Sequence, residues 1–444
     1  MDRRAARGRG DVMSEPLLES LLESPPAPGP DWLGALRGHA RAQLERDGLP
    51  GPRNEAWKYT PLRALARRRY ANHDAAASSR AVDAGALDLP GLDGARRGFV
   101  NGGYRADLSR LPVAAGISVE PIAPLLAGAA DGLRTAFADP FDAPGQAFAR
   151  LNTALANDGL VVRVAAGTRV EERLHLLMFA AGAEALAWNL RIVVELGAGS
   201  ALTLVEHHAG DADEVHLGNI VSQYVLAPGS RLDLLQLQAA AETSTRIRRS
   251  AFTLDADAVL ALRTLELGSA LARHDLVVHL DGDRASCTSR GVFAARDRQH
   301  LDTHIDVRHR ARDTACDLVW RGVAGGRSRG ILHGAITVEA GADGTDASLD
   351  TKNLLLSAQA EIDAQPVLEI HADEVKAAHG ATVGQLDEQA LFYLRTRGLA
   401  EAEARSLLTL AFCRSTVDSL ENAALRDHID ALLLERLPAQ EEAA

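Results

Sequence analysis

The chain has 444 residues, 46% hydrophobic and 24% charged, a globular composition that excludes a wholly disordered protein and is long enough for two or three domains. Aromatic residues are only 4%, so the core must come from Ala, Val, Leu and Ile, and 60 acids against 48 bases (net −12) give no footing for duplex nucleic acid. Three scattered cysteines, Cys287, Cys316 and Cys413, exclude a disulfide framework and fit a reducing, cytoplasmic setting, while no run approaches the ~18 apolar residues of a membrane span.

In chain order, residues 1–30 carry Arg3, Arg4, Arg7 and Arg9 and then a proline-rich run, without the apolar stretch of a secretory signal. They read as a flexible tail. From Trp32, the residues Leu33, Leu36, Ala40 and Leu44 recur at spacings of three and four, predicting a helix closed by Gly48 and Pro50. A second helical stretch is expected over 55–69, a strand entering a tight turn at Phe99-Val100-Asn101-Gly102, and a helix over 146–156. Residues 31–155 are thus expected to be a mostly helical domain.

From Leu160 the character changes. Short β-type runs succeed one another, several with period two, as in Leu232-Asp233-Leu234-Leu235-Gln236-Leu237-Gln238. Turn signals such as Gly197-Ala198-Gly199-Ser200 and Pro228-Gly229-Ser230 separate them. Many such runs, roughly 10 to 15 residues apart and with no helical pattern between them, predict an all-β sandwich, barrel or solenoid over 156–372. No repeat of fixed length is visible, which a solenoid with irregular rungs tolerates. Over 373–444 helices return: Asp387 and Glu388 place acid in a first turn, Gly398 marks a stop, and Leu407, Leu410, Leu425, Ile429 and Leu433 form amphipathic stripes.

Few constellations suggest chemistry. The glycine-rich segment 321–330 lacks the lysine of a P-loop, so it reads as a loop between strands and no intrinsic ATPase activity is expected. On a strand, His300, Asp302, His304 and Asp306 share one face opposite Leu301, Thr303, Ile305 and Val307. That row is either a set of metal ligands or the polar side of a half-buried strand, and the alternation alone accounts for it. Glu206-His207-His208 reads as a surface loop at a strand end, and the three cysteines as small buried hydrophobes. No GxSxG elbow or local Cys/His signature supports nucleophilic catalysis.

One stretch carries more. It runs Pro366-Val367-Leu368-Glu369-Ile370, Ala372-Asp373-Glu374-Val375-Lys376, His379-Gly380-Ala381-Thr382-Val383-Gly384, Leu391-Phe392-Tyr393-Leu394-Arg395 and Arg397-Gly398. With Asn353-Leu354-Leu355-Leu356-Ser357 and Glu55-Ala56-Trp57-Lys58-Tyr59-Thr60-Pro61-Leu62, it resembles the SufB/SufD family of the SUF iron–sulfur cluster assembly system, on its SufD side. The resemblance covers nearly the whole chain beyond the tail. It implies a mainly β protein with a right-handed parallel β-helix core between N-terminal and C-terminal helical domains. It also implies a non-catalytic scaffold that pairs with SufB through β-helix edges and docks the ATPase SufC on its C-terminal helices, and it leaves open whether the isolated chain is a homodimer. No tightly bound cofactor is then expected in the isolated chain, only transient iron or a cluster as cargo, and neither nucleic acid nor membrane as partner. Family members commonly carry a cysteine two residues before the motif histidine; here that position is Ala377, which cannot bind iron. His379 is left as the matched candidate iron or cluster ligand at the SufB interface, or else a residue that organises a strand-to-helix turn. Two rivals are a metal-dependent β-barrel enzyme of the cupin type, which needs an HxH pair absent here, and a polysaccharide-cleaving β-helix enzyme. Both leave the C-terminal helices unexplained.

Overall fold

The computed structural model describes residues 15–26, 29–83, 87–110, 115–126, 133–139, 141–418, 420 and 422–438. Its centre is a parallel β-solenoid of about eight turns built from two sheets. The first sheet runs, in hydrogen-bonded order, through Ile117–Pro121, Asp158–Val164, Leu186–Leu196, Leu217–Leu226, Thr245–Leu254, Leu271–Leu280, His300–His309, Arg329–Val338 and Glu361–Ile370. The second runs through Gly103–Arg110, Arg96–Val100, Leu174–Ala180, Ala201–Gly210, Arg231–Gln238, Val259–Glu266, Ser286–Ala295, Ala315–Ala324, Asp346–Leu355 and Lys376–Gly384. The chain alternates between the sheets, so each turn stacks in register on the last, as Leu204, Leu234 and Leu262 do. Neither sheet closes on itself, which removes the cupin-type barrel.

The period-two pattern fills the lumen. Leu232, Leu234, Leu260 and Leu262 point inward at 2% exposure or less, each contributing about 2 kcal/mol by transfer from water. Tyr224 and Phe252 stack at 4.3 Å one rung apart. The lumen also holds charge. Arg246 donates to Glu214 at 2.6 Å, and Arg248 is bonded to Glu266, which also meets His274 Nδ1 at 3.0 Å. Both pairs are almost completely buried, so removing one partner would strand a charge in the core.

The N-terminal helices cover the outer face of the first sheet, with Leu17, Leu44 and Leu62 packed towards Ala187, Leu217 and Ile247. Residues 31–47 form the expected helix, Asp31–Asp47, which packs on the helix Ala147–Leu155. The hairpin signal also holds: Asn101 (φ 51°) and Gly102 (φ 86°) turn Arg96–Val100 into Gly103–Arg110, and both strands extend the second sheet. The stretch 55–69 is not one helix. It breaks into a 3-10 turn, Glu55–Trp57, and a helical turn, Arg63–Ala66, because Pro61 has no N–H and bars helical backbone before it. The tail reading also needs correction within the described residues. Pro16–Leu22 is a helix that buries Leu17 and Leu21 completely in the cluster with Leu44, Leu62 and Tyr70. Residues 1–14 and 27–28 of that expected tail lie outside the described residues.

At the other end, the strand Lys376–Gly384 lies past residue 372, so the β region extends beyond its expected limit and the first C-terminal helix is Glu388–Thr396. Two more helices, Glu401–Arg414 and Ala423–Arg436, lie along the outer face of the second sheet. Cys413, Leu425, Ile429 and Leu433 bury against Val205, Leu235, Leu237 and Val292. The amphipathic stripes are therefore spent largely inside the chain. Asn422 caps the last helix through Leu425 N at 3.0 Å and donates to Gly91 O at 3.0 Å, tying both terminal regions together.

Candidate functional site at the open end of the solenoid

The strands Glu361–Ile370 and Lys376–Gly384 end their sheets. Each pairs on one side only, with Arg329–Val338 and Asp346–Leu355 respectively, and no described strand covers the other side. Strands inside the stack bury their luminal positions, but here the luminal Ile370 and Val383 are 42% and 45% exposed. An uncovered strand edge offers a row of free N–H and C=O groups, a template for another strand. Pro366, which has no N–H, is the only proline on either edge.

The register places the motif residues. Cys287, Cys316, Ala347 and Ala377 stand side by side on successive strands of the second sheet, and Leu349 neighbours His379. Because Cys287, Cys316, Ala347 and Leu349 all belong to the luminal core, Ala377 and His379 occupy luminal positions of the last rung. No described rung follows to bury them, and His379 is exposed. It sits mid-strand, five residues before Gly384, rather than at a strand-to-helix turn.

The other candidates resolve into structure. In the strand His300–His309 the four polar residues do share a face, but the segment 57–60 lies over it. Asp302 is buried, with Arg273 at 2.6 Å, His304 at 3.1 Å and a bond from the Thr60 hydroxyl. Burial favours its neutral form, but the Arg273 charge and the His304 and Thr60 bonds outweigh this and hold the carboxyl well below the usual range. His300 Nε2 is 3.3 Å from Thr60 Oγ1, His304 stacks on His333 at 4.8 Å, and Asp306 pairs with Arg308 at 3.0 Å. The row is thus an anchor for the N-terminal region. Among the described residues, no group of three or more His, Cys, Asp or Glu is placed to hold a metal ion.

Glu206, His207 and His208 are not a surface loop. The strand continues to Gly210 and buries all three. Glu206, whose pKa burial raises, is bonded by Tyr224 and by Gln236 at 2.9 Å. The cysteines are buried as expected, and burial pushes the Cys316 and Cys413 thiols up to about 12, leaving them protonated and unreactive. The glycine-rich segment serves packing: a Cβ at Gly322 or Gly330 would come within 2.1 or 2.3 Å of the Phe293 ring. What the residues alone missed is the open end itself, since exposure of a last rung leaves no periodic signal.

Fold and site together define a β-solenoid protein whose last rung leaves two strand edges open to extension. The sequence matches the model of the SUF system FeS cluster assembly SufBD core domain over residues 179–412 and that of the SufBD protein N-terminal region over residues 27–176. The chain belongs to the SufBD family of the SUF iron–sulfur cluster assembly system. It is 28% identical to the iron–sulfur cluster assembly protein SufD of Escherichia coli over 399 residues, 89% of this chain and 91% of that protein. SufBD family proteins of Synechocystis and Mycobacterium tuberculosis are each 27% identical, over 93% and 91% of this chain and 90% and 94% of their own lengths.

Proposed function

We propose that the chain is a SufD-type scaffold subunit that pairs with SufB through the open end of its solenoid and docks SufC on its C-terminal helices. The observation that carries this reading is the uncovered terminal rung: two strand edges and two luminal apolar side chains left where the stack could continue. The chain itself is then no enzyme. Segment 321–330 lacks a Walker lysine, and ATP turnover would reside in SufC. Iron or a nascent cluster is cargo held at the SufB junction. No described helix is long and apolar enough to cross a membrane, and a cytoplasmic setting belongs to the same reading.

His379 is this subunit's contribution to the junction, since imidazole ligates iron while Ala377 offers no donor. His379→Ala should lower cluster formation in the co-expressed complex at least fivefold without dissolving the complex, and Ala377→Cys should be tolerated. Cluster yield at the wild-type level in His379→Ala would remove the histidine from the metal site.

For SufC, the large apolar residues that remain exposed on the C-terminal helices are Phe392, Tyr393, Leu407 and Leu434, at 69%, 57%, 47% and 50%. Deleting the helices would uncover Val205, Leu235 and Leu237, so point changes are the cleaner probe. Co-purification with SufB and SufC should show Phe392→Asp combined with Leu407→Asp losing SufC more than tenfold while keeping SufB. Equal retention of SufC would place its dock elsewhere.

A further inference from the structure

Residues 53–69 carry Arg53, Lys58, Arg63, Arg67, Arg68 and Arg69 against Glu55 alone, +5 in a chain of net −12. Together with residues 49–52 this segment lines a cavity of about 380 Å³. That volume falls in the range of small-molecule sites. Leu49, Pro52, Trp57, Pro61, Leu62 and Ala66 supply an apolar wall. Its polar atoms are engaged elsewhere: Trp57 Nε1 donates to Gly145 O at 2.7 Å, and the Thr60 hydroxyl bonds Asp302.

Lys58, Arg63 and Arg67 also line the cavity and are exposed, which puts their charges at its mouth. Among the described residues, none forms an ion pair or hydrogen bond with these three side chains, and Lys58 meets only the Tyr59 ring at 5.2 Å. Elsewhere exposed guanidiniums find carboxylates, as Arg284 does in Asp257 and Arg310 in Glu339. Glu15, the one acid among the described lining residues, accepts the Leu49 N–H at 3.0 Å. An apolar wall below an unpaired cationic mouth matches a molecule with an apolar body and one anionic end. We propose that the cavity binds a small amphiphilic carboxylate of the medium-chain fatty-acid class, with its chain against Trp57, Pro61 and Leu62 and its carboxylate on Arg63 and Arg67. A guanidinium meets a carboxylate through two parallel N–H bonds, and the Lys58 ammonium adds charge. Glu15 leads into the helix Pro16–Leu22 and Thr60 is anchored on Asp302, so the ligand ties the N-terminal helix to the first sheet.

Chain length separates this site from a plain anion patch. Each methylene the cavity buries should tighten binding about fourfold, whereas arginines on an open surface give no such dependence. Isothermal titration of the full-length chain with hexanoate, octanoate and decanoate reads this, with decanol as the neutral control and phosphatidylglycerol vesicles as the membrane arm. Affinity should rise about tenfold or more for every two methylenes, and decanol should bind about tenfold more weakly than decanoate. Arg63→Ala with Arg67→Ala, both exposed, should lose about tenfold for decanoate and leave decanol unchanged. Ala66→Phe, which fills the cavity, should abolish binding of both. Affinity independent of chain length, equal affinity for decanol and decanoate, or full binding by an Ala66→Phe protein of wild-type thermal midpoint overturns the proposal. Vesicle association without saturable binding of decanoate would make the basic segment a membrane contact and overturn it as well.

Discussion

Carboxylates placed on both open edges, Ile370→Asp with Val383→Asp, are expected to weaken SufB binding at least 100-fold while leaving the isolated chain folded. Both side chains already meet solvent, so each change should cost the free protein no more than about 0.5 kcal/mol. In the paired state the same positions would lie inside a continuous stack. A carboxylate buried there without a partner loses its hydration, and a cost of about 3 kcal/mol already corresponds to more than 100-fold in affinity. Isothermal titration or co-purification reads the loss, and a thermal midpoint within a few degrees of wild type shows that folding is not the cause. Wild-type affinity in the double variant would exclude edge-on-edge pairing.

Mild acid should unfold the protein well before its carboxylates titrate. His175, His207, His208, His216, His274 and His309 are each at most 8% exposed. Burial is the leading cause that pulls all six below the ordinary imidazole value, His207, His216, His274 and His309 to about 4. Below about pH 6.5 the unfolded chain takes up protons that the native lumen and its covered faces refuse. Their stabilisation is therefore complete above that pH and lost progressively toward pH 4. At pH 5 each of the four costs about 2 kcal/mol, together about 8 kcal/mol, comparable to the whole stability of a domain. Denaturant unfolding should show a large fall in midpoint between pH 7.5 and 5.5, with collapse of the β-sheet circular dichroism near pH 5. Asp302 acts lower down: its depressed pKa adds stability above about pH 4 that disappears as the carboxyl protonates. A midpoint unchanged from pH 7.5 to 5 would mean that the buried histidines accept protons in the native state.

Much of this architecture is written in period-two runs, and Leu186–Leu196, Arg231–Gln238 and Leu271–Leu280 are strands with the limits their alternation suggests. The strand Thr245–Leu254 is hard to read because Arg246 and Arg248 occupy luminal positions, where charge normally argues against a core, and Glu214 and Glu266, before and after it in the neighbouring turns, neutralise them. Ala315–Ala324 alternates legibly through Cys316, Leu318 and Trp320, but its last residues merge with a glycine-rich segment that reads as loop. Lys376–Gly384 gave no strand signal because a last rung has no neighbour to demand apolar side chains. The same cause hid the candidate site, where His379 is recognisable by motif while its luminal, mid-strand position appears only in the register with Leu349. The helical stripes were read correctly as amphipathic, yet periodicity cannot say whether a stripe covers its own chain or a partner. Here Leu425, Ile429 and Leu433 cover the second sheet, and Phe392, Tyr393, Leu407 and Leu434 are what is left.

Hydrogen exchange of the backbone amides in Glu361–Ile370 and Lys376–Gly384, with and without SufB, tests the open end most directly. The edge amides should exchange rapidly in the free chain at low salt and become protected at least 100-fold in the complex, with little change in Arg231–Gln238 at mid-stack. Protection confined to the helices 388–436, with both terminal strands exchanging as in the free chain, would contradict pairing through the open solenoid end.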